Sequence, residues 1–458
     1  MKTKLPRILS FLLAIVLLLL PLSACRRAAR TLDELETTKD LVIYLPQNDG
    51  ISGSGGNLDM YTSHWTYPFW RLYDNAIHVR IVEIPGSLED YEERVMSELV
   101  SGAGPDIIFT RFLPHMDVEK SARNYSFYDL TGLMESDPDF HAEDFIDGVF
   151  DAVKIDGRQY TVPIAYNAPV YFSDQNKLRD LGFDWDGIGT TSDFIDELVR
   201  MKPKAAEDLD FIQMLGSRDS FAELLGFSGI RLVDFETGTA LPDEASFRAF
   251  MESYKAFYAF DHNTLETFNP WNHDGYYAPA YAVVNGGILF YFEPMLDVAG
   301  YRANVIEEAE DCTAGYGILP AQTGETVGVL GAQLAINTSS KNVKNAWTFI
   351  KYIISEQVQT GGSYSRNLNG VPVRRDSVRA SVARQTGLFG TSERAGLLKI
   401  GQDEIVERYE KMDRFVWGTS ATALDLTWES MLPWLQDEKS YEDCVSELKS
   451  KLTFYMSE

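Results

Sequence analysis

The chain has 458 residues, of which 45% are hydrophobic and 12% aromatic, and a formal net charge of −27 at pH 7. This length and apolar content suit two domains, or two lobes of one architecture, each with its own core. So acidic a surface argues against nucleic acid and anionic lipid as charge-held partners.

The N-terminus opens with Lys2, Lys4 and Arg7, followed by the apolar run ILSFLLAIVLLLLPLSA. The run is too short and wrongly flanked for a membrane span. It has the layout of a secretory signal peptide over residues 1–24. It ends in LSAC, Leu22 to Cys25, which is similar to the lipobox of bacterial lipoproteins, so Cys25 is expected to carry lipid and to become the new N-terminus. The alternative is an ordinary signal peptide cut nearby. Residues 25–39 would then be a tether. A lipid anchor keeps a soluble protein on the extracytoplasmic face of the cell membrane without a spanning helix. Losing residues 1–24 removes three cations and no acid, so the mature chain is more acidic still.

Past the tether, DLVIYLPQ (Asp40 to Gln47) predicts a buried strand bounded by Pro46. GISGSGGNLDM follows as a glycine-rich loop without the GK[ST] ending of a phosphate loop. WTYPFW, Trp65 to Trp70, either covers a cleft rim or anchors the edge of the first lobe, and packing is the preferred reading. AIHVRIVEIP alternates as a second strand. SLEDYEERVMSELVSG predicts a helix capped by Ser87, with acids in its first turn and Gly102 at its end. Leu88, Tyr91, Val95 and Leu99 share one face. PDIIF is the next strand, and this strand–helix–strand spacing predicts a parallel, doubly wound sheet. The acidic stretch ESDPDFHAEDFIDGVFD lacks the glycine and ligand spacing of a calcium loop and is expected to be a solvated face.

Helices are predicted at TTSDFIDELVRM and at SFRAFMESYKAFYAF, which has an aromatic face. GGILFYF is a buried strand. YGILPAQTGETVGVLGAQLAINTSS predicts strand, polar turn, strand, and KNVKNAWTFIKYIISEQ a helix with Val343, Trp347, Ile350 and Ile354 on one face. From GQDEIVERYEKM to the end the chain reads helical. Cys312 and Cys444 remain beside Cys25; they either pair or stay buried as thiols. No CxxC or HExxH occurs, and the six histidines are scattered, so neither a metal site nor a catalytic triad has sequence support.

Several of these segments, in order, carry a resemblance. YEERVMSELVSGAGPDIIF, GRQYTVPIAYNAPVYFSDQNKLRDLGFD, YYAPAYAVVNGGILFYF, the YGILPAQ…SEQ run and NGVPVRRDSV together resemble the bacterial extracellular solute-binding proteins, the family that includes maltose-binding protein. The resemblance covers most of the chain after Asp40. It implies a periplasmic-binding-protein-like α/β fold, with two doubly wound lobes joined by hinge strands and a ligand cleft between them. It places the crossings near Tyr160 to Ile164, near Gly315 and Tyr316, and near Gly361. The N-terminal lobe would be residues 40–160 and 316–360, and the C-terminal lobe 161–315 and 363–458. Ligands collect outside the carboxyl ends of strands in such sheets, and two lobes close around a ligand as a standard switch.

The resemblance also implies where ligand contacts fall. They are Gln47, Asn48 and Asp49 after the first strand, and Thr110 and Arg111 after PDIIF, with threonine where maltose-binding protein has an aromatic. Tyr166 and Asn167 lie past the first hinge, and Phe292 and Glu293 end GGILFYF. Gln333 sits at the glycine-rich crossover. Trp271 lies in an Asn/Pro/Gly-rich loop, and Trp417, Asp425 and Trp428 lie near the family's C-terminal aromatic contact, with Trp428 carried forward. Tyr166 either stacks on ligand or packs the hinge. Amide groups can donate and accept toward hydroxyls. The expected function is that of a lipid-anchored, monomeric substrate-binding component of an ABC importer. It would capture a solute, expected to be a carbohydrate, without catalysis or cofactor, and deliver it to membrane permease subunits. The alternative is a sensory lipoprotein that presents its ligand to a receptor kinase. A glycan-processing enzyme would need a convergent acid pair, which the sequence does not supply.

Overall fold

The computed structural model describes residues 40–47, 65–73, 76–205, 210–212, 217–259, 288–292, 314–360, 370–387 and 402–457. Two sheets organise them. The first contains β1 (Asp40–Pro46), β2 (His78–Ile84), β3 (Ile107–Phe109), β4 (Thr161–Asn167), β9 (Val327–Ile336), β10 (Val371–Pro372) and β11 (Arg414–Trp417), in the order β10-β4-β9-β3-β1-β2. β11 lies against the N-terminal half of β9, and β3 against its C-terminal half. The second sheet contains β5 (Val170–Asp174), β6 (Asp210–Ile212), β7 (Ile288–Phe292) and β8 (Ala314–Ile318), in the order β8-β5-β7-β6.

The predicted parallel arrangement holds at β2-β1-β3. It breaks where β9 joins, because β9 arrives from the edge toward which β3 points and so runs antiparallel to both β3 and β4. The second sheet is mixed for the same reason: β5, leaving the first lobe, is antiparallel to both neighbours.

The helices relevant below are α1 (Tyr67–Leu72), α2 (Leu88–Val100), α3 (Val118–Arg123), α4 (Thr191–Met201), α5 (Ser217–Phe227), α6 (Glu244–Tyr258), α7 (Val343–Ile353), α8 (Gln402–Glu410), α9 (Ala421–Leu435) and α10 (Tyr441–Ser457). α2 begins as its sequence predicts: Ser87 accepts from the Asp90 amide, and Asp90 closes the capping box. It ends where Gly102 takes φ +73°. Its Tyr91 and Val95 are buried, with Leu88 and Leu99 packed at the margin. In α6 the aromatic face is core: Phe247, Phe250, Tyr254 and Phe257 are enclosed.

Two separate apolar cores result. One runs through residues 41–170, takes in Ile288 of β7, resumes at Leu330 and ends at Phe415, with Ile318 of β8 packed on its margin. The other spans Leu178 to Leu319 and resumes at Ala423. The crossings therefore lie at 168–170, between Leu319 and Leu330, and at 418–420. These differ from the sequence-based boundaries. β4 is buried from Thr161 to Tyr166 because β9 and β10 pair on its two sides, so it belongs to the first sheet. β10 and β11 also return the chain to that lobe after Gly361. β11 corrects the all-helical reading of the C-terminal region.

The acidic stretch is more than a solvated face. Asp137 is buried, accepts from Trp347 Nε1 at 2.6 Å and pairs with Lys351 at 2.7 Å. Cys444 is a buried free thiol; Cys312 and the glycine-rich loop lie outside the described residues. Among the described residues no helix is long and apolar enough to cross a membrane.

Candidate functional site

β9 carries an irregularity in its pairing with β4 between Val329 and Gln333. Such bulges re-aim a strand. Here Gly331 is exposed between the buried residues Leu330 and Ala332, and a side chain added there would meet nothing among the described residues within 4 Å. The backbone of the central strand thus opens onto free space at the edge where the chain crosses between lobes.

The bulge is held from beneath. Thr110 follows β3, and its Oγ1 accepts from the Gln333 amide at 3.0 Å and faces the Gln333 carbonyl at 3.2 Å and the Gly331 carbonyl at 3.3 Å. Gln333 Nε2 donates to the Leu330 carbonyl at 2.8 Å, and its Oε1 accepts from Thr161 Oγ1 at 2.5 Å. Both residues are almost wholly enclosed. Both side chains, which the sequence marked as ligand contacts, are turned inward here and hold the wall of the opening.

Around the opening stand three half-buried side chains. Arg111 follows Thr110, its guanidinium 5.3 Å from the Phe112 ring centre. Trp417 ends β11 opposite Leu330. Gly418 follows it so closely that a side chain there would sit 3.4 Å from the Gly331 Cα. Asn167 ends β4 opposite Val329. Its Oδ1 is enclosed beside Gly370 with no hydrogen-bond partner among the described residues. Gln47, after β1, is exposed at the same carboxyl edge, its amide bonded to the Ile84 carbonyl.

Other predicted contacts lie elsewhere. Tyr166 packs the hinge: its ring meets Phe415 edge-on, its hydroxyl donates to the Tyr409 carbonyl, and burial pushes its phenol far above the usual range. Phe292 belongs to the second core, against Phe194 and Phe227, because its side chain turns away from the strand edge. Trp428 sits on α9, packed on Phe221 and Tyr258, and Asp425 pairs with Arg218. Asn48, Asp49, Trp271, Glu293 and Cys25 lie outside the described residues. Trp417 is the residue that sequence reasoning passed over in favour of Trp428; the alternation in RFVW was the available signal.

The crossings are fastened. Thr326 donates its amide to Asp413 at 2.7 Å, and Arg414 Nε meets Glu325 at 2.7 Å. A cavity of about 440 Å³ lies beside them, lined by Ile318, Thr326, Glu407, Arg408 and Lys411. One wall is first-lobe α8 and the other the end of second-lobe β8, so its shape depends on the angle between lobes.

A second interlobe junction lies at α3. The Ala421 amide donates to the Pro114 carbonyl at 2.8 Å, and Thr422 Oγ1 to the His115 carbonyl at 3.2 Å. Tyr455 donates to Asp117 at 2.9 Å, Lys120 Nζ donates to the Tyr455 carbonyl at 2.6 Å, and Arg231 approaches Glu119 at 3.4 Å. Buried Glu92 holds the loop from below, accepting from the His115 and Met116 amides at 2.8 Å each. Burial raises the carboxyls of Asp117 and Glu119 above their ordinary values, against the pull of Lys120 and Tyr455 on the first and of Arg123 and Arg231 on the second.

Among the described residues at the opening there is no reacting pair. It offers a strand backbone, an indole, a guanidinium and an amide between two separately packed lobes. Comparison with known proteins agrees. No curated protein matches the sequence. Among solved structures, the sugar-binding protein MalE from Xanthomonas citri is similar at TM-score 0.63 and 18% identity, covering 91% of this chain and 97% of that one. The ABC substrate-binding protein Lmo0181 from Listeria monocytogenes, solved with cycloalternan, is similar at 0.57 and 14%, covering 91% and 99%. The GacH receptor of Streptomyces glaucescens, solved with acarbose, is similar at 0.57 and 15%, covering 92% and 100%. These likenesses establish a periplasmic-binding-protein-like fold. The sequence profile of the bacterial extracellular solute-binding proteins matches residues 73–389, well over half of the chain, and with two lobes, three crossings and an open strand at their seam the chain belongs to that family.

Proposed function

We propose that the protein captures a carbohydrate between its lobes and delivers it to the permease of an ABC importer, while Cys25 carries a lipid that anchors it to the extracytoplasmic face of the cell membrane. The observation that carries the cleft is the exposed Gly331 in a strand otherwise buried at that point, at the seam of two independent cores. A pyranose ring presents apolar faces and a rim of hydroxyls. Trp417 supplies a flat apolar surface, Arg111 donors, and Asn167 an amide beside them. The sugars bound by structurally similar proteins support the class of solute. Closure is driven by whatever the ligand gains in the closed state over the open one.

The test is thermal unfolding of the mature chain against mono- and oligosaccharides. A ligand at one hundred times its Kd that binds only the folded form adds about 2.7 kcal/mol. The expected result is a raised midpoint with one glycan class, lost in Trp417→Ala and in Gly331→Leu, which fills the opening. A panel without any response would reject the carbohydrate reading.

A further inference from the structure

The first lobe carries an exposed aromatic ridge on α1. Of the large hydrophobic side chains exposed among the described residues, two belong to six-residue α1: Tyr67 at 50% and Leu72 at 56%. The helix is fixed in place by Phe69, which is fully buried, 5.0 Å from Phe349 between ring centres. Pinned by its inner face, it holds its outer face out. Tyr67 meets Trp70 edge-on at 6.4 Å, and Trp70 meets His78 edge-on at 5.6 Å. Arg71 lies 5.9 Å from the Tyr67 ring centre. His78 and Arg80 fall on one face of edge strand β2, with Arg80 exposed.

This ridge adjoins the place where the chain enters the fold. His78 pairs in register with Asp40, the first residue of β1, and their side chains are 3.5 Å apart. Upstream lie only the fifteen residues from Cys25 to Lys39 before the proposed lipid, a contour of at most about 50 Å. A surface at the end of so short a tether meets the bilayer at an effective concentration near the millimolar range, so a weak contact suffices. Tyrosine and tryptophan are the side chains that settle at the headgroup level.

We propose that the Tyr67–Leu72 ridge rests on the lipid headgroup interface of the membrane that holds the anchor. This rests on Cys25 lipidation. The contact is aromatic and uncharged in character, since the acidic chain as a whole is repelled by anionic lipid. The segment that carries the ridge runs from Trp65, stacked on Phe109 at the carboxyl end of β3, to Trp70 beside His78 at the amino end of β2.

The test uses the lipidated protein reconstituted in phosphatidylcholine vesicles. A photo-crosslinking benzoylphenylalanine replaces Tyr67, Leu72 or, as a control of comparable exposure on the second lobe, Phe454 (64% exposed). The expected result is a lipid adduct at positions 67 and 72 and background at 454. Equal adducts at all three, or none at 67 and 72 in protein that floats with the vesicles, would overturn the ridge while leaving the anchor intact. Mass spectrometry of Cys25 separates the two readings: no acyl group there would overturn the anchor and the ridge together. Adding phosphatidylglycerol should reduce the adducts; an increase would reject the uncharged contact.

Discussion

Gln333 is enclosed, and both ends of its amide are engaged, one by Leu330 and the other by Thr161. Gln333→Leu leaves the Thr161 hydroxyl and the Leu330 carbonyl without that partner, so the expected cost is about 1–3 kcal/mol, read as a lower urea midpoint. Because the same bonds set the bulge, ligand affinity should fall with it. Asp137 is a contrasting case. Burial would raise its carboxyl, but Lys351, the Asp139 amide and Trp347 together outweigh that and hold it below its ordinary value. Its contribution is therefore fully present above the unfolded value, roughly 4, and is lost as pH falls through the lower folded one. Asp137→Asn should cost on the order of 3 kcal/mol at neutral pH, as for a broken buried pair, and the gap to wild type should narrow on acidification. That both residues matter was visible only in part from sequence. A glutamine at a glycine-rich crossover looks like a ligand contact because its partners, Thr110 and Thr161, are far away along the chain. Asp137 looked solvated because its neighbours in sequence are acidic and its partner Lys351 is not among them.

At the scale of elements, local signals were legible and long-range ones were not. The Thr190 cap of α4 follows from TTSDFIDELVRM, and its Oγ1 accepts from the Asp193 amide at 3.1 Å. Thr190→Ala should cost about 1 kcal/mol and leave ligand binding unchanged, as a melting curve and a titration would show. β11 was not legible. Four residues between two helical stretches make no period of their own, and the strand exists because β9 offers it an edge. That pairing is tight: a Cβ on Gly328 would run into the Phe415 ring, which is itself packed on Tyr166. Gly328→Ala should cost about 1–3 kcal/mol through overpacking and push Trp417 off its position, weakening the ligand more than Thr190→Ala does. Equal affinity in the two variants would remove Trp417 from the site. The first lobe boundary is hard to read for a related reason: a strand buried on both faces looks the same in sequence whether it stays in one lobe or leaves it.

At the scale of the molecule, the junction at α3 couples lobe contact to acidity. The folded values of Asp117 and Glu119 are raised by burial. Their contribution is fully present below the unfolded values, near 4, and is lost as pH rises through the folded ones. Comparing urea midpoints of wild type and Asp117→Asn from pH 4 to 7 should show the variant gaining on wild type as pH rises. A constant gap would mean that the junction does not titrate. The interrupted path of the chain has a different consequence. β11 completes the first sheet, and α9 and α10 complete the second core, yet both come from residues 414–457, which follow every other element of the described fold. Neither half can reach its native packing until those residues have been made. A chain truncated after Met412 should accordingly lose cooperative unfolding in both halves at once, so that the two lobes are made in sequence but mature together.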